Sequence, residues 1–277
     1  MKKPSLSMKE IREVFIQRYD YEVNTQSLDN AADVLQGKFV SKDDEYKRFC
    51  RIDILEEDSN NIFHRMNNFT TRLQNEEFKK QMDDIIEVGL KRYHDKYQSS
   101  LKNESPFVLY EKYSRRDVSL LMNCGRDLSS TMYGMKRIDD DVFIFVTYHK
   151  EESTDEQKNY VDGKPDYADA FEDNMIFRWD SQIGRDVDSS YVSDVVNTKR
   201  KHLLVKKSDA ESNFYYMGEF DIVDVCAARK RDNNGKERDI TKFEMKMHHP
   251  VREDLLRYLQ SNLQQGLQNN TQELKAI

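Results

Sequence analysis

Cysteine is scarce in this chain: three in 277 residues, Cys50, Cys124 and Cys226, with no CxxC pair among them. That spacing speaks against a disulfide framework or a zinc ribbon and reads as reduced thiols in a cytosolic protein. Proline is nearly as rare, four residues, and none lies between positions 7 and 100, where only Gly37 and Gly89 interrupt. No apolar run approaches the roughly 20 residues that cross a bilayer. Met1 leads into a charged helical pattern instead of a leader peptide, so no membrane partner is expected. Neither a GxxxxGKS/T phosphate loop nor GxGxxG, HExxH or GxSxG occurs, and no cysteine stands at a familiar spacing from a histidine. The chain thus lacks the motifs of an NTPase, a zinc protease or a serine hydrolase. Tryptophan occurs once, as Trp179.

Positive charge is also in deficit, with a net charge of -7 although 34% of residues are charged. This argues against a wholly basic coat for nucleic acid, but local patches matter more than the sum. "NTKRKHLLVKK" gathers Lys199, Arg200, Lys201, His202, Lys206 and Lys207. "AARKRDNNGKERD" adds Arg229, Lys230, Arg231, Lys236 and Arg238. Each patch reads either as a phosphate-binding surface or as solvated loop.

Residues 1–104 read as a helical connector domain. Apolar residues recur at helical spacing, as in Ile11, Val14 and Phe15, in Ala31, Ala32, Val34 and Leu35, and from Phe78 through Met82, Ile85 and Ile86 to Tyr93. Ser7 with Glu10 three residues on has the form of a capping box, and Asn60 or Asn61 is a candidate cap for a helix beginning "IFHRM". The polar Ser, Asn and Pro of "SSLKNESPF" mark a linker, and a short helix "SRRDVSLLMN" follows. In residues 105–249 the period then becomes two, with candidate strands at 141–149, 174–180, 201–207, 213–225 and 239–247. "RDNNGKERD" has the composition of a hairpin tip. Residues 250–277 return to a helix, with Val251, Leu255, Leu256, Leu259 and Leu263 on one face, and a Gln/Asn-rich tail. The expected class is α+β: a helical domain, then a small strongly curved sheet or partly closed β-barrel with flanking helices.

Two chemistries compete for the sheet. Aromatic residues gather toward strand ends in "VFIFVTYHKEE" and "DNMIFRWDSQIG", beside Asp180, Ser181, Gln182, His149 and Lys150. Flat rings with short polar side chains suit a planar heterocycle, whereas aromatic residues in strands also simply fill cores. Glu244-Met245-Lys246 forms an ExK triplet 20 residues after Asp224, the arrangement of Mg²⁺-dependent nucleases. Alternation, however, puts Glu244 and Lys246 on the solvated face. His248-His249 lacks a third metal ligand nearby, so no metal is expected in this chain.

Four stretches in order carry a resemblance: "LYEKYSRRDVSLLMN", "DDDVFIFVTYHKEE", "YADAFEDNMIFRWDSQ" and "KHLLVKKSDAESNFYYMGE". Together, over residues 106 to 250, they resemble the C-terminal domain of unknown function of helicase-like proteins that begin with a phospholipase D-like nuclease. The SauUSI family of ATP-dependent, modification-dependent (type IV) restriction enzymes is the nearest example. The resemblance implies a bacterial, cytoplasmic recognition part that is not itself an enzyme. Its implied partners are double-stranded DNA containing 5-methylcytosine or 5-hydroxymethylcytosine and the nuclease and motor domains of a parent chain. ATP and Mg²⁺ would be cofactors of that parent, with none for this chain. It further implies an SRA/PUA-like sheet that flips the modified base into a pocket. On that reading Trp179 and Tyr148 stack on the base, with Phe177 or Tyr216 as alternatives. Asp180, then Asp173, reads the N4 amino edge beside Ser181. Lys199, Arg200, Lys201, Lys206, Lys207, Arg229, Lys230 and Arg231 hold phosphates. Trp179 and Asp180 alternate, so a strand break at Asp180-Ser181 is required to bring both into one pocket. The other readings are an interaction or connector module of a helicase-like enzyme, and the Mg²⁺ nuclease at Asp224, Glu244 and Lys246.

Overall fold

The computed structural model describes residues 5–19, 23–40, 47, 54–97, 105–149, 160–161, 164–165, 169–232 and 234–261. Cys50, Lys150 and Leu263 lie outside the described residues. The chain divides into two compact units, Met1–Val108 with Arg115–Ser130, and Leu109–Ser114 with Thr131–Ile277. No helix among the described residues is long and apolar enough to cross a membrane.

The first unit holds strand β1 (Ser5–Ser7), helices α1 (Met8–Tyr19) and α2 (Thr25–Leu35), strands β2 (Leu55–Glu57) and β3 (Ile62–Arg65), and helices α3 (Asn67–Arg72), α4 (Glu76–Arg92) and α5 (Arg115–Leu121). The capping box forms: Ser7 N donates to Glu10 Oε2 at 2.9 Å, and Glu10 N donates to Ser7 Oγ at 3.2 Å. Asn75 caps α4 by accepting from Phe78 N at 3.0 Å. Asn30 joins α2 to α5 by donating to Leu120 O at 3.0 Å. The expectation of an all-helical region requires correction, because β1, β3 and β2 form a three-stranded antiparallel sheet. Asn60 and Asn61 turn the β2–β3 hairpin and cap no helix. Asp58 Oδ1 accepts from Asn60 N at 2.8 Å and Ile62 N at 3.1 Å, and Asn61 takes φ 57°. Strands of three or four residues are too short to display a period, so the helical spacing around them dominated the pattern.

The second unit holds β4 (Lys112–Tyr113), β5 (Met135–Ile138), β6 (Asp141–His149), β7 (Tyr160–Val161), β8 (Lys164–Pro165), β9 (Ala170–Phe171), β10 (Ile176–Asp180), α6 (Ser190–Asn197), β11 (Arg200–Ser208), β12 (Phe214–Arg231), β13 (Glu237–Met247) and α7 (Glu253–Gln260). Eight strands form one mixed sheet in the order β5-β6-β11-β12-β13-β10-β9, with β4 paired to β12. The β6–β11 pair is parallel and the other pairs are antiparallel. Almost every residue of β6 is buried, as expected of a strand covered on both faces.

Strand β12 makes the curvature. Its first residues pair with β11 and β4, and from Phe220 to Arg231 it pairs with β13. Register shifts fall at Leu203/Leu204 and Ile222/Asp224, and Gly218 takes φ 102° between them along the ladder. Such bulges bend and twist a strand. One core then unites Ile144, Leu203 and Met217 with Phe177, Phe243 and Met245, and with Val195 of α6 and Leu259 of α7. The sheet is an open path ending at β5 and β9, so the described strands form no closed barrel. A Cβ at Gly218 would lie 2.9 Å from Leu109 Cδ1, in a backbone conformation that side chains rarely adopt. Gly218→Ala is expected to lower the unfolding free energy by about 1–3 kcal/mol. Urea denaturation checks this, and an unchanged midpoint would show that the bend does not need glycine.

Candidate functional site

Alternation along β10 puts Phe177 and Trp179 on the core face and Arg178 and Asp180 on the other. The four predicted stacking rings do not line an open pocket. Phe177 is 0% exposed, Trp179 and Tyr216 3%, and Tyr148 7%. Phe177 meets Phe171 edge-on at 4.7 Å, and the Tyr216 hydroxyl lies 2.9 Å from His202 Nδ1. Trp179 packs between Phe243, with ring centroids 5.0 Å apart, and Tyr191, at 6.2 Å and an interplanar angle of 27°.

The predicted edge readers are placed elsewhere. Strand β10 runs through Asp180, which pairs with Lys242, so no break brings Asp180 beside Trp179. The Asp180 carboxylate lies 3.6 Å from Lys230 Nζ and 3.9 Å from Lys242 Nζ. Asp173 closes the turn into β10: its Oδ1 accepts from Met175 N at 2.6 Å and Ile176 N at 2.7 Å, and these bonds hold its carboxyl below the usual range. Ser181 Oγ accepts from Thr241 N at 2.9 Å and donates to Arg185 O at 3.1 Å, which stitches the end of β10 to β13.

A residue missed in the sequence stands at the centre of this region. Tyr191, on α6, is buried, and its hydroxyl has no hydrogen-bond partner among the described residues. Burial pushes the phenol pKa up, with Asp169 adding to the shift and Arg185 opposing it, so the hydroxyl stays protonated. The Arg185 guanidinium lies 5.2 Å above its ring. Gly134 leaves space here: a Cβ would lie 3.2 Å from Gln182 Nε2 and 3.5 Å from the Tyr191 hydroxyl. Asp169 is buried and accepts from Asp180 N at 3.0 Å. The available signal was "SSYVSDVVN", an amphipathic helix capped by Ser189 that faces Tyr191, Val192 and Val195 inward.

A second polar cluster lies between β6, β11 and β12. Arg200 binds the buried Asp141 carboxylate through Nε at 2.7 Å and Nη2 at 2.6 Å, and His202 Nε2 lies 2.7 Å from Oδ1. Phe143 stacks on the His202 ring at 4.6 Å. Burial raises the Asp141 pKa, but the hydrogen bonds and charges of His202 and Arg200 outweigh it and hold the carboxyl below its usual range.

Of the first basic patch, Lys199 remains exposed. Lys201 Nζ donates to Thr198 O at 2.7 Å. The phosphate-binding expectation for Lys206 and Lys207 requires correction, since both are buried. Lys206 Nζ donates to Glu211 O at 3.0 Å, and Lys207 Nζ donates to Ser261 Oγ at 2.6 Å and lies 4.6 Å above the Tyr258 ring. A central strand covered on both faces draws their aliphatic stems inward, and local acceptors take the ammonium groups. Arg200 is engaged by Asp141. Arg229, Lys230 and Arg231 are exposed on the β12–β13 hairpin. Asp224 stands opposite Glu244 in register, but Glu244 lies 3.2 Å from Arg178. Among the described residues no group of three or more His, Cys, Asp or Glu could hold a metal ion.

Residues 107–259 match a family model described as a domain of unknown function, DUF3427, and residues 1–97 match another, DUF8090. None of the curated proteins matches the sequence. Among solved structures, KRYPTONITE in complex with mCHG DNA and SAH matches with 10% identity and a TM-score of 0.33, over 53% of this chain and 33% of that one. SUVH6 of Arabidopsis thaliana in complex with SAM matches with 10% identity and a TM-score of 0.35, over 86% and 42%. The sulfur-binding and SRA domains of ScoMcrA, complexed with phosphorothioated DNA, match with 11% identity and a TM-score of 0.30, over 57% and 46%. The chain spans less than half the length of each, and TM-scores of this size do not establish a shared fold.

The Asp141 cluster generates a stability prediction. A carboxylate with a depressed folded pKa stabilises the fold above its unfolded pKa, and the contribution is lost as pH falls through the folded value. Asp141→Asn should cost about 3 kcal/mol at pH 7. The gap to the unsubstituted chain should narrow below about pH 4. Urea denaturation across that range measures it, and a gap independent of pH would contradict the assignment.

Proposed function

Residues 107–259 place this chain in the DUF3427 family, and from that membership we propose that the second unit recognises double-stranded DNA carrying 5-methylcytosine or 5-hydroxymethylcytosine. The resemblance of four ordered stretches to SauUSI-type enzymes supports a role as the recognition part of a type IV restriction enzyme. Its nuclease and motor, with their ATP and Mg²⁺, lie in other domains of that enzyme. Helix α4 buries none of its residues and exposes Ile85, Ile86 and Val88, which suits a connector role for residues 1–104.

The observation that carries the base-reading part is the buried hydroxyl of Tyr191, without a partner among the described residues, on a ring that packs against Trp179. A buried hydroxyl without a partner costs about 1–3 kcal/mol, so an acceptor supplied by a ligand is favoured there. Trp179 supplies the stacking face, and the Tyr191 ring, its centroid now 6.2 Å from that of Trp179, moves aside so that its hydroxyl meets the edge of the base. The Tyr191 hydroxyl donates to cytosine N3 or O2. Asp169, in place of Asp180, accepts from the N4 amino group, which thymine does not offer. Stacking contributes roughly 1–3 kcal/mol per ring against a few kcal/mol for unstacking the base. The added methyl contributes only about 1 kcal/mol, or roughly fivefold in affinity.

Matched 20-base-pair duplexes, unmodified and with 5-methylcytosine, test this by gel shift and Trp179 fluorescence. The modified duplex should bind several-fold tighter and quench Trp179, and Tyr191→Phe should weaken its binding and lessen the quench while retaining the fold. Equal binding of both duplexes across several flanking sequences would sink the reading.

A further inference from the structure

The β12–β13 hairpin has a charged tip that the base-reading site does not use. Loop residues follow β13 as far as Asp239, where Gly184 N donates to Asp239 O at 2.8 Å. Beyond that point only the Arg229–Asp239, Lys230–Arg238 and Arg231–Glu237 pairs and the turn remain, a two-stranded ribbon roughly 10 Å long. In a chain of net charge -7, residues 229–239 carry five basic and three acidic side chains.

The acids are engaged locally. Asp232 builds the turn: its carboxylate accepts from Asn234 N at 2.9 Å, Lys236 N at 3.0 Å and Arg238 Nε at 3.1 Å, while Gly235 takes φ 74°. Asp239 and Glu237 lie 3.4 and 3.8 Å from Arg229. Arg231 and Lys236, exposed at the tip, form no ion pair among the described residues. These bonds from Asp232 hold Asn234, Lys236 and Arg238 in place before any partner arrives, which lowers the entropic cost of binding.

We propose that this hairpin tip enters the major groove of B-form duplex DNA and that Arg231 and Lys236 contact its phosphates at the groove edge. The inference rests on the DNA-binding reading above. Two strands about 4.8 Å apart, with their side chains, fit a groove about 12 Å wide and 8.5 Å deep, whereas the minor groove is only about 6 Å wide. The deep, narrow major groove of duplex RNA excludes the tip. The tip anchors and orients the duplex irrespective of modification, and discrimination stays with the Tyr191 region.

The test uses the full chain with Arg231→Ala/Lys236→Ala, whose exposed positions leave the fold intact, as a thermal melt verifies. Probes are a 20-base-pair DNA duplex with and without 5-methylcytosine, the same sequence as duplex RNA, and netropsin as a minor-groove competitor. The double variant should bind both DNA duplexes several-fold more weakly, with their ratio unchanged and the log–log salt slope reduced by roughly 2. Duplex RNA should bind poorly, and netropsin should not displace the protein. Unchanged affinity and slope in the double variant, or displacement by netropsin, would overturn the ribbon's role even if the wild-type chain prefers modified DNA. Failure of the wild-type chain to bind any DNA duplex would overturn both the ribbon's role and the reading it rests on.

Discussion

The second unit depends on one strand carrying two pairings. Strand β12 gives its first residues to β11 and β4 and the rest to β13. A straight strand of 18 residues would spread these partners into a flat sheet with no shared interior. The glycine at position 218 and the bulges beside it turn the ladder, so side chains from β6 and β11 meet those from β10 and β13 in one core. Helices α6 and α7 then close that core with Val195 and Leu259.

The polar groups drawn into this interior are satisfied by neighbours brought close by the same turn. Asp141 and Arg200 stand opposite each other in the parallel β6–β11 pair, and His202, two residues on, adds a contact to the same carboxylate. Tyr216 reaches His202 from β12, so the cluster spans three adjacent strands. Lys206 and Lys207 extend along the covered strand to acceptors around Glu211 and Ser261. Against that background Tyr191 stands out, because its hydroxyl alone in this core has been left without an acceptor among the described residues.

Strand β13 joins the two features assigned to nucleic acid. Phe243 packs against Trp179 and pairs with Val225 near the base of the hairpin, and the same strand continues outward to the tip. A duplex held by the hairpin and a base received beside Trp179 would therefore be referenced to one rigid ladder. Positioning by phosphate contacts and discrimination by base contacts are separate physical tasks. On the proposed reading they would fall to separate places, phosphate contacts to the β12–β13 tip and base contacts to Trp179 on β10 and Tyr191 on α6.

Local chemistry was legible in the residues. The strand at 141–149, the Ser7–Glu10 capping box, the turn at Asp232–Gly235 and the alternation of Trp179 with Asp180 all follow from neighbours within a few positions. The three-stranded sheet of the first unit escaped notice because its strands are shorter than a period, and α6 lay in a stretch to which no element was assigned. Tertiary structure alone decided which faces are covered. The pattern "KHLLVKK" is the same whether its lysines face solvent or run along a core, and "IFRWD" is the same whether its rings line a cleft or fill an interior. That outcome depends on the bend of β12 and on the layers placed over each strand, since burial is a property of contacts between distant segments and not of spacing along the chain.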